Sequence, residues 1–162
     1  MKKIITLFLT FFVIISLCGC GSEKSQTPES GTPLSVFYQN VIDIQPEDKD
    51  ELIFFEESNP DLIENFYSGL ENIELNQLAL YMPPIITYPC EIVLVEVVNN
   101  ADTQAVAEIF QSRIDIGAGD TDYQESSSVW QSRAQVQTSG NFVCMIVLPD
   151  GYVIPENVFN VK

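Results

Sequence analysis

Residues Glu91-Ile92-Val93-Leu94-Val95-Glu96-Val97-Val98 decide the fold. The run is rich in β-branched residues and apolar on both faces, as expected of a strand covered on two sides at a central position in a sheet. Upstream, residues 74–82 alternate weakly and end at Pro83-Pro84, which has no N–H to give a ladder and so closes that strand. Downstream, residues 102–116 predict a helix. Asn100 is placed to cap it, Asp102 complements the dipole in its first turn, and Val106, Ile109, Phe110 and Ile114 share a face with Gly117. After a glycine-rich turn at 117–119, residues 122–131 predict a shorter helix carrying Tyr123 and Trp130. Residues 134–138 and 142–148 flank Ser139-Gly140, a two-residue hairpin signal.

Nearer the start, Thr32-Pro33 and Asn59-Pro60 mark helix beginnings. Leu34, Phe37, Tyr38, Val41 and Ile42 follow the first on one helical face; Leu62, Ile63, Phe66, Tyr67 and Leu70 follow the second. Residues 52–55 read equally as a brief strand or a helical turn, and the tail from Pro149 is ambiguous. The resulting order, β, β, α, α, β, β behind two helices, gives an α+β fold. Its expected form is an antiparallel or mixed sheet of about four strands with helices packed on one face.

The first twenty residues are of another kind. Lys2 and Lys3 precede an apolar run, residues 4–17, broken only by Thr6, Thr10 and Ser16. That is the length of a secretory signal and short of the roughly 17 to 25 residues a spanning helix needs. The run ends in Leu17-Cys18-Gly19-Cys20, which resembles the lipobox of bacterial lipoproteins. The resemblance implies a signal peptide at 1–19, lipidation of Cys20, and two or three acyl chains, palmitate among the usual ones, for stable attachment. Residues 20–33 contain no large apolar side chain after the cysteine and are expected to form a flexible tether. Residues 34–162 are a normal size for a single domain.

The chain carries 7 basic and 23 acidic residues; loss of Lys2 and Lys3 leaves 5 against 23, a net charge of −18. Such a surface repels phosphate backbones, so nucleic acid is not an expected partner. It favours cationic ligands, metal ions or basic wall components. The densest acidic run, residues 43–57, is expected to be a solvated face.

A family resemblance rests on four features: Tyr81-Met82-Pro83-Pro84, the strand from Cys90 to Val97, Phe110 with Arg113, and Ser139-Gly140-Asn141-Phe142-Val143. Residues 73–159 resemble domain of unknown function 4358, found mostly in small lipoproteins of Clostridia and relatives. The resemblance implies a fold and a location but no reaction, ligand or cofactor. The end after Leu148 departs from it, being proline-rich where an amphipathic final helix is expected.

The chain has no His, which removes histidine triads, the usual neutral-pH base and the commonest metal ligand. Past Cys20 only Cys90 and Cys144 remain, too few for a four-cysteine site. A disulfide between them is chemically permitted outside the membrane, and two reduced core thiols are the alternative. Asp120, Asp122 and Glu125 have the look of a partial calcium loop, set against a capped turn between two helices. Asp43, Glu47, Glu56 and Glu57 offer carboxylates for acid and base work, but sequence does not give their spacing. Trp130 and Tyr123 read as core residues more than as a ligand groove, and Ser126, Ser127 and Ser128 as polar surface.

With no nucleophile beside a base and no cofactor loop, the expected protein is a noncatalytic binding or interaction module without cofactor. It sits at the extracytoplasmic face of the cell membrane, anchored by lipid, and takes an unknown protein, wall or small-molecule ligand. The alternative is a small envelope enzyme using carboxylate acid and base chemistry.

Overall fold

The computed structural model describes residues 27–48, 52–85 and 88–160. The expected signal peptide and Cys20 lie outside the described residues. Helix α1 spans Leu34–Ile42, strand β1 Phe55–Glu57, helix α2 Pro60–Phe66, β2 Leu75–Met82 and β3 Glu91–Val97. Helix α3 spans Thr103–Ala118, α4 Gln124–Arg133, β4 Gln135–Ser139 and β5 Phe142–Val147. The strands form one five-stranded antiparallel sheet in the order β1-β2-β3-β5-β4.

The central strand is β3, and all seven of its residues are buried. Its side chains alternate between two cores. Val93, Val95 and Val97 face Val106, Phe110 and Ile114 of α3, with Trp130 of α4. Ile92 and Leu94 face Phe37 and Val41 of α1, with Val158 and Phe159. Helices therefore lie on both faces, where helices on one face were expected. The fifth strand, β1, comes from the segment that read as strand or turn, shifted to Phe55–Glu57. The correction follows from β3 itself, because a strand with two apolar faces needs two apolar covers.

The C-terminal segment supplies part of the second cover without a helix. Phe159 meets Phe37 edge-to-face with ring centroids 5.1 Å apart, and Phe37 meets Phe142 in the same way. Side-chain amides hold the irregular backbone: Asn40 donates to the Val158 and Asn160 carbonyls, and Gln137 bonds the Pro155 carbonyl and the Val158 N–H. These bonds satisfy the polar groups that a final helix would have satisfied internally.

Local signals account for most element ends. Asn59 caps α2 by accepting from the Asp61 N–H with Pro60 in the first turn. Asn99, rather than Asn100, accepts from the Ala101 N–H in a 3₁₀ turn that leads into α3. Helix α3 runs through Gly117, which was expected to end it. A Cβ at Gly117 would lie 2.5 Å from Trp130 Cδ2, so this glycine serves the close packing of α4 on α3. The buried Ser127 hydroxyl and the Gln131 amide donate to the Ala118 carbonyl at the end of α3. Ser127 is thus a cap rather than surface.

Candidate functional site

The sheet has two distinct ends. At one, β3 leaves toward the 3₁₀ turn Asn100–Asp102 and Ser139-Gly140 turns the β4–β5 hairpin. At the other, β3 begins at Glu91 opposite Val147, the last residue of β5. The chain enters β3 there through Tyr88-Pro89 and leaves β5 through Pro149-Asp150. The loop between α3 and α4, with the first turn of α4, meets both.

These three segments enclose an open groove of about 780 Å³. Asp122, Glu125 and Asp150 line it with the rings of Tyr88 and Tyr123, and no lysine or arginine is among its lining residues. Asp150 is 85% exposed, with Arg133 at 3.6 Å, so that contact neutralises its charge only weakly in water. A second, apolar pocket of about 280 Å³ shares Tyr88 and is lined by Leu52, Ile53, Pro83, Pro84 and Tyr152. Ile53, Ile85 and Tyr88 are all exposed at this end. Carboxylates beside aromatic faces suit a cation that carries some apolar surface.

A buried polar cluster lies at the same end of β3. Arg113 of α3 makes a two-pronged pair with Glu91, Nε to Oε1 at 3.2 Å and Nη2 to Oε2 at 2.7 Å. The Tyr67 hydroxyl also donates to Glu91 Oε1. The guanidinium lies between the rings of Phe66 and Trp130, 4.6 and 4.5 Å from their centroids. Burial and the neighbouring Glu91 push the Tyr67 hydroxyl well above its ordinary pKa. Burial works against the charged guanidinium, but the Glu91 carboxylate outweighs it and raises the Arg113 pKa. Two guanidinium N–H groups and the Tyr67 hydroxyl converge on the one Glu91 carboxylate, so this cluster ties α3 and the segment after α2 to the start of β3.

The second buried carboxylate of β3, Glu96, lies on the opposite face near the opposite end, with 0% exposure. It accepts from the Ser30 hydroxyl at 2.6 Å, the Gly31 N–H at 2.9 Å and the Gln77 amide at 2.8 Å. Burial alone would raise its pKa, but these bonds outweigh it and hold the carboxyl below the usual value. A register shift between Leu75 and Gln77 brings Gln77 directly opposite Glu96.

The candidates from sequence fare differently. Asp120 Oδ1 accepts from the Asp122 and Tyr123 N–H groups, so it caps the turn into α4. Among the described residues no group of three or more carboxylate or thiol side chains is placed to hold a metal ion. Asp122 and Glu125 instead line the groove. Tyr123, 52% exposed, lines it with them, whereas Trp130 is core. Asp43, Glu47, Glu56 and Glu57 are not among its lining residues.

Cys90 and Cys144 are both free and buried. Of the two readings left open by the sequence, a disulfide or two reduced core thiols, the structure has the second, although the strands are neighbours. Cys144 stands opposite Leu94, four residues along β3 from Cys90, a separation of about 13 Å at ~3.3 Å per residue. A bridge needs Cα atoms within about 7 Å.

Sequence reasoning missed Tyr88 and Asp150 as groove walls and the partners of Glu91 and Glu96. A signal for the last was present: two glutamates in an otherwise apolar buried strand require partners, since an unpaired buried charge is costly.

The described residues thus define a small α/β domain, one antiparallel sheet between helical layers, with an acidic aromatic groove at one sheet end. The chain belongs to the family described as Domain of unknown function (DUF4358), whose model matches residues 56–148. That span begins at β1 and ends at the close of β5, where a match over 73–159 was expected. No curated protein and no solved structure matches the chain.

Proposed function

We propose that this protein is a lipid-anchored module at the extracytoplasmic face of the cell membrane, and that it binds a cationic ligand in the groove between Tyr88, Tyr123 and Asp150. The anchor reading is supported by Lys2 and Lys3, the apolar run and Leu17-Cys18-Gly19-Cys20. No helix among the described residues is long and apolar enough to cross a membrane. The observation that carries the binding reading is the groove lining, which includes three carboxylates and two tyrosines and no lysine or arginine, Arg133 reaching only Asp150 of these from outside it. The module is noncatalytic in this reading. The buried carboxylates Glu91 and Glu96 lie five residues apart on opposite faces of β3, about 17 Å along the strand, too far to work as the acid and base of one reaction.

Thermal unfolding in the presence of polyamines, oligolysine or calcium tests the groove. A ligand at a hundred times its dissociation constant adds about 2.7 kcal/mol, a shift of several degrees. The shift is expected with the polyamine or the oligolysine and is expected to vanish in Asp122→Asn/Glu125→Gln. A shift that persists in that variant defeats the assignment of the groove. For the anchor, Cys20→Ser is expected to move the protein from the membrane fraction to the soluble one.

A further inference from the structure

We infer that the domain stands on the bilayer by the hairpin end of its sheet, held by a strap at residues 28–33 that is latched onto Glu96, so that the groove opens away from the lipid. This inference rests on the anchor at Cys20 proposed above.

The strap was expected to be the end of a flexible tether, yet it is bonded to the central strand. Ser30 and Gly31 both donate to Glu96, and Gln77 donates to Glu96 and to the Thr32 carbonyl. Pro28 is buried. Thr27 presses on the hairpin turn, where a Cβ at Gly140 would lie 2.8 Å from its methyl group. Glu96 and Gln77 of the sheet and Gly140 of its hairpin thus fix where the anchored chain meets the domain.

Thr27 follows Cys20 by seven residues, which span no more than about 25 Å even when fully extended. From Glu96 the groove end lies a further 17 Å or so up β3, and Tyr88, Pro149 and Asp150 lie beyond it. The anchored chain therefore enters the domain at the hairpin end, and the lipid lies within about 25 Å of that entry point.

Charge favours the same orientation. The turns at the hairpin end, residues 98–101 and 138–141, carry no charged side chain, and the nearby acids are Glu29, Glu74 and Asp102. The groove end presents Asp120, Asp122, Glu125 and Asp150, with Arg133 beside Asp150 as the opposing charge. An anionic lipid surface repels that end whenever it comes within about a Debye length, roughly 8 Å at physiological salt. The strap sets the point of attachment, and the charge distribution sets the tilt.

The test uses the full lipidated chain reconstituted in vesicles containing anionic lipid and a headgroup-attached energy acceptor. A donor dye is placed on Ala101→Cys at the hairpin end or on Thr121→Cys at the groove end. Both sites are exposed, and Cys90 and Cys144 are buried and do not compete for dye. Flotation with the vesicles is measured first. Protein that fails to float defeats the anchor and the orientation together. Floating protein with transfer several-fold stronger from position 101 than from 121 is the expected result. Equal transfer, or stronger transfer from 121, overturns the orientation while leaving the anchor intact. In Ser30→Ala/Gly31→Pro, which loses both strap bonds to Glu96 without touching the sheet, the ratio is expected to fall toward one. An unchanged ratio removes the strap from the inference.

Discussion

Arg113 on α3 and Glu91 at the start of β3 form a two-pronged ion pair in which neither side chain reaches a tenth of its full exposure. A pair this deep costs desolvation that its mutual attraction must offset, so its removal by halves is the damaging change. Arg113→Met is expected to lower stability by about 3 to 5 kcal/mol, because the Glu91 carboxylate stays buried without its partner. Glu91→Leu/Arg113→Met is expected to cost less than the single change, with the Tyr67 hydroxyl left lacking an acceptor at about 1 to 3 kcal/mol. Urea unfolding of the native chain and the two variants checks the order. A double variant worse than Arg113→Met would contradict it.

Gly117→Ala sets two effects against each other. In an open helix the change gains up to about 1 kcal/mol of propensity. Here the new Cβ meets the Trp130 indole at 2.5 Å, and overpacking of that kind costs about 1 to 3 kcal/mol. The clash is expected to win, giving a lower melting temperature. The same substitution in a Trp130→Leu background is expected to be harmless or stabilising.

The carboxyl of Glu96 has a lowered pKa in the fold, so over the acid range the unfolded chain binds its proton first. Its contribution to stability is complete above the ordinary carboxylate value, about 4.3, and is lost as the pH falls through the lowered folded value. Stability measured from pH 7 to pH 2 is expected to show this loss in the native chain. In Glu96→Gln that part of the acid limb is expected to be absent.

Burial pushes the Cys90 thiol up to about 12, and Cys144 is raised by burial as well. Neither thiol is expected to react with a disulfide reagent at pH 8 in the folded domain. Unfolding without reductant is expected to release two thiols from residues 21–162. Finding none would restore the disulfide. Because both pKa values are raised, stability is expected to be complete below the ordinary thiol value and to fall as the pH rises above it.

Much of the architecture was legible because it is written in local pattern. The periodicity of Val106, Phe110 and Ile114, the Ser139-Gly140 turn and the Asn59-Pro60 cap each concern residues within a few positions of one another, and backbone sterics and one-sided burial act over that range. Misreadings arose where a residue serves a partner far along the chain. Gly117 read as a helix stop because sequence does not show Trp130 above it. Residues 28–33 read as tether because a polar stretch looks the same whether or not a buried carboxylate, 65 residues further on in the case of Gly31, is waiting for its hydroxyl and N–H donors.

The sequence by itself determined that β3 is a central strand needing two covers, that the surface is strongly acidic, and that histidine chemistry is absent. Only the tertiary structure decided what covers the second face, which way Cys90 and Cys144 fall in the β3–β5 register, and which carboxylates meet. The reason is physical. Strand pairing register and the convergence of loops at a sheet end depend on the whole packed chain, and a displacement of four residues along β3 carries a thiol some 13 Å from its potential partner. The groove of Asp122, Glu125 and Asp150 exists because three loops end at the same edge of one sheet, a coincidence in space that no spacing in the chain records.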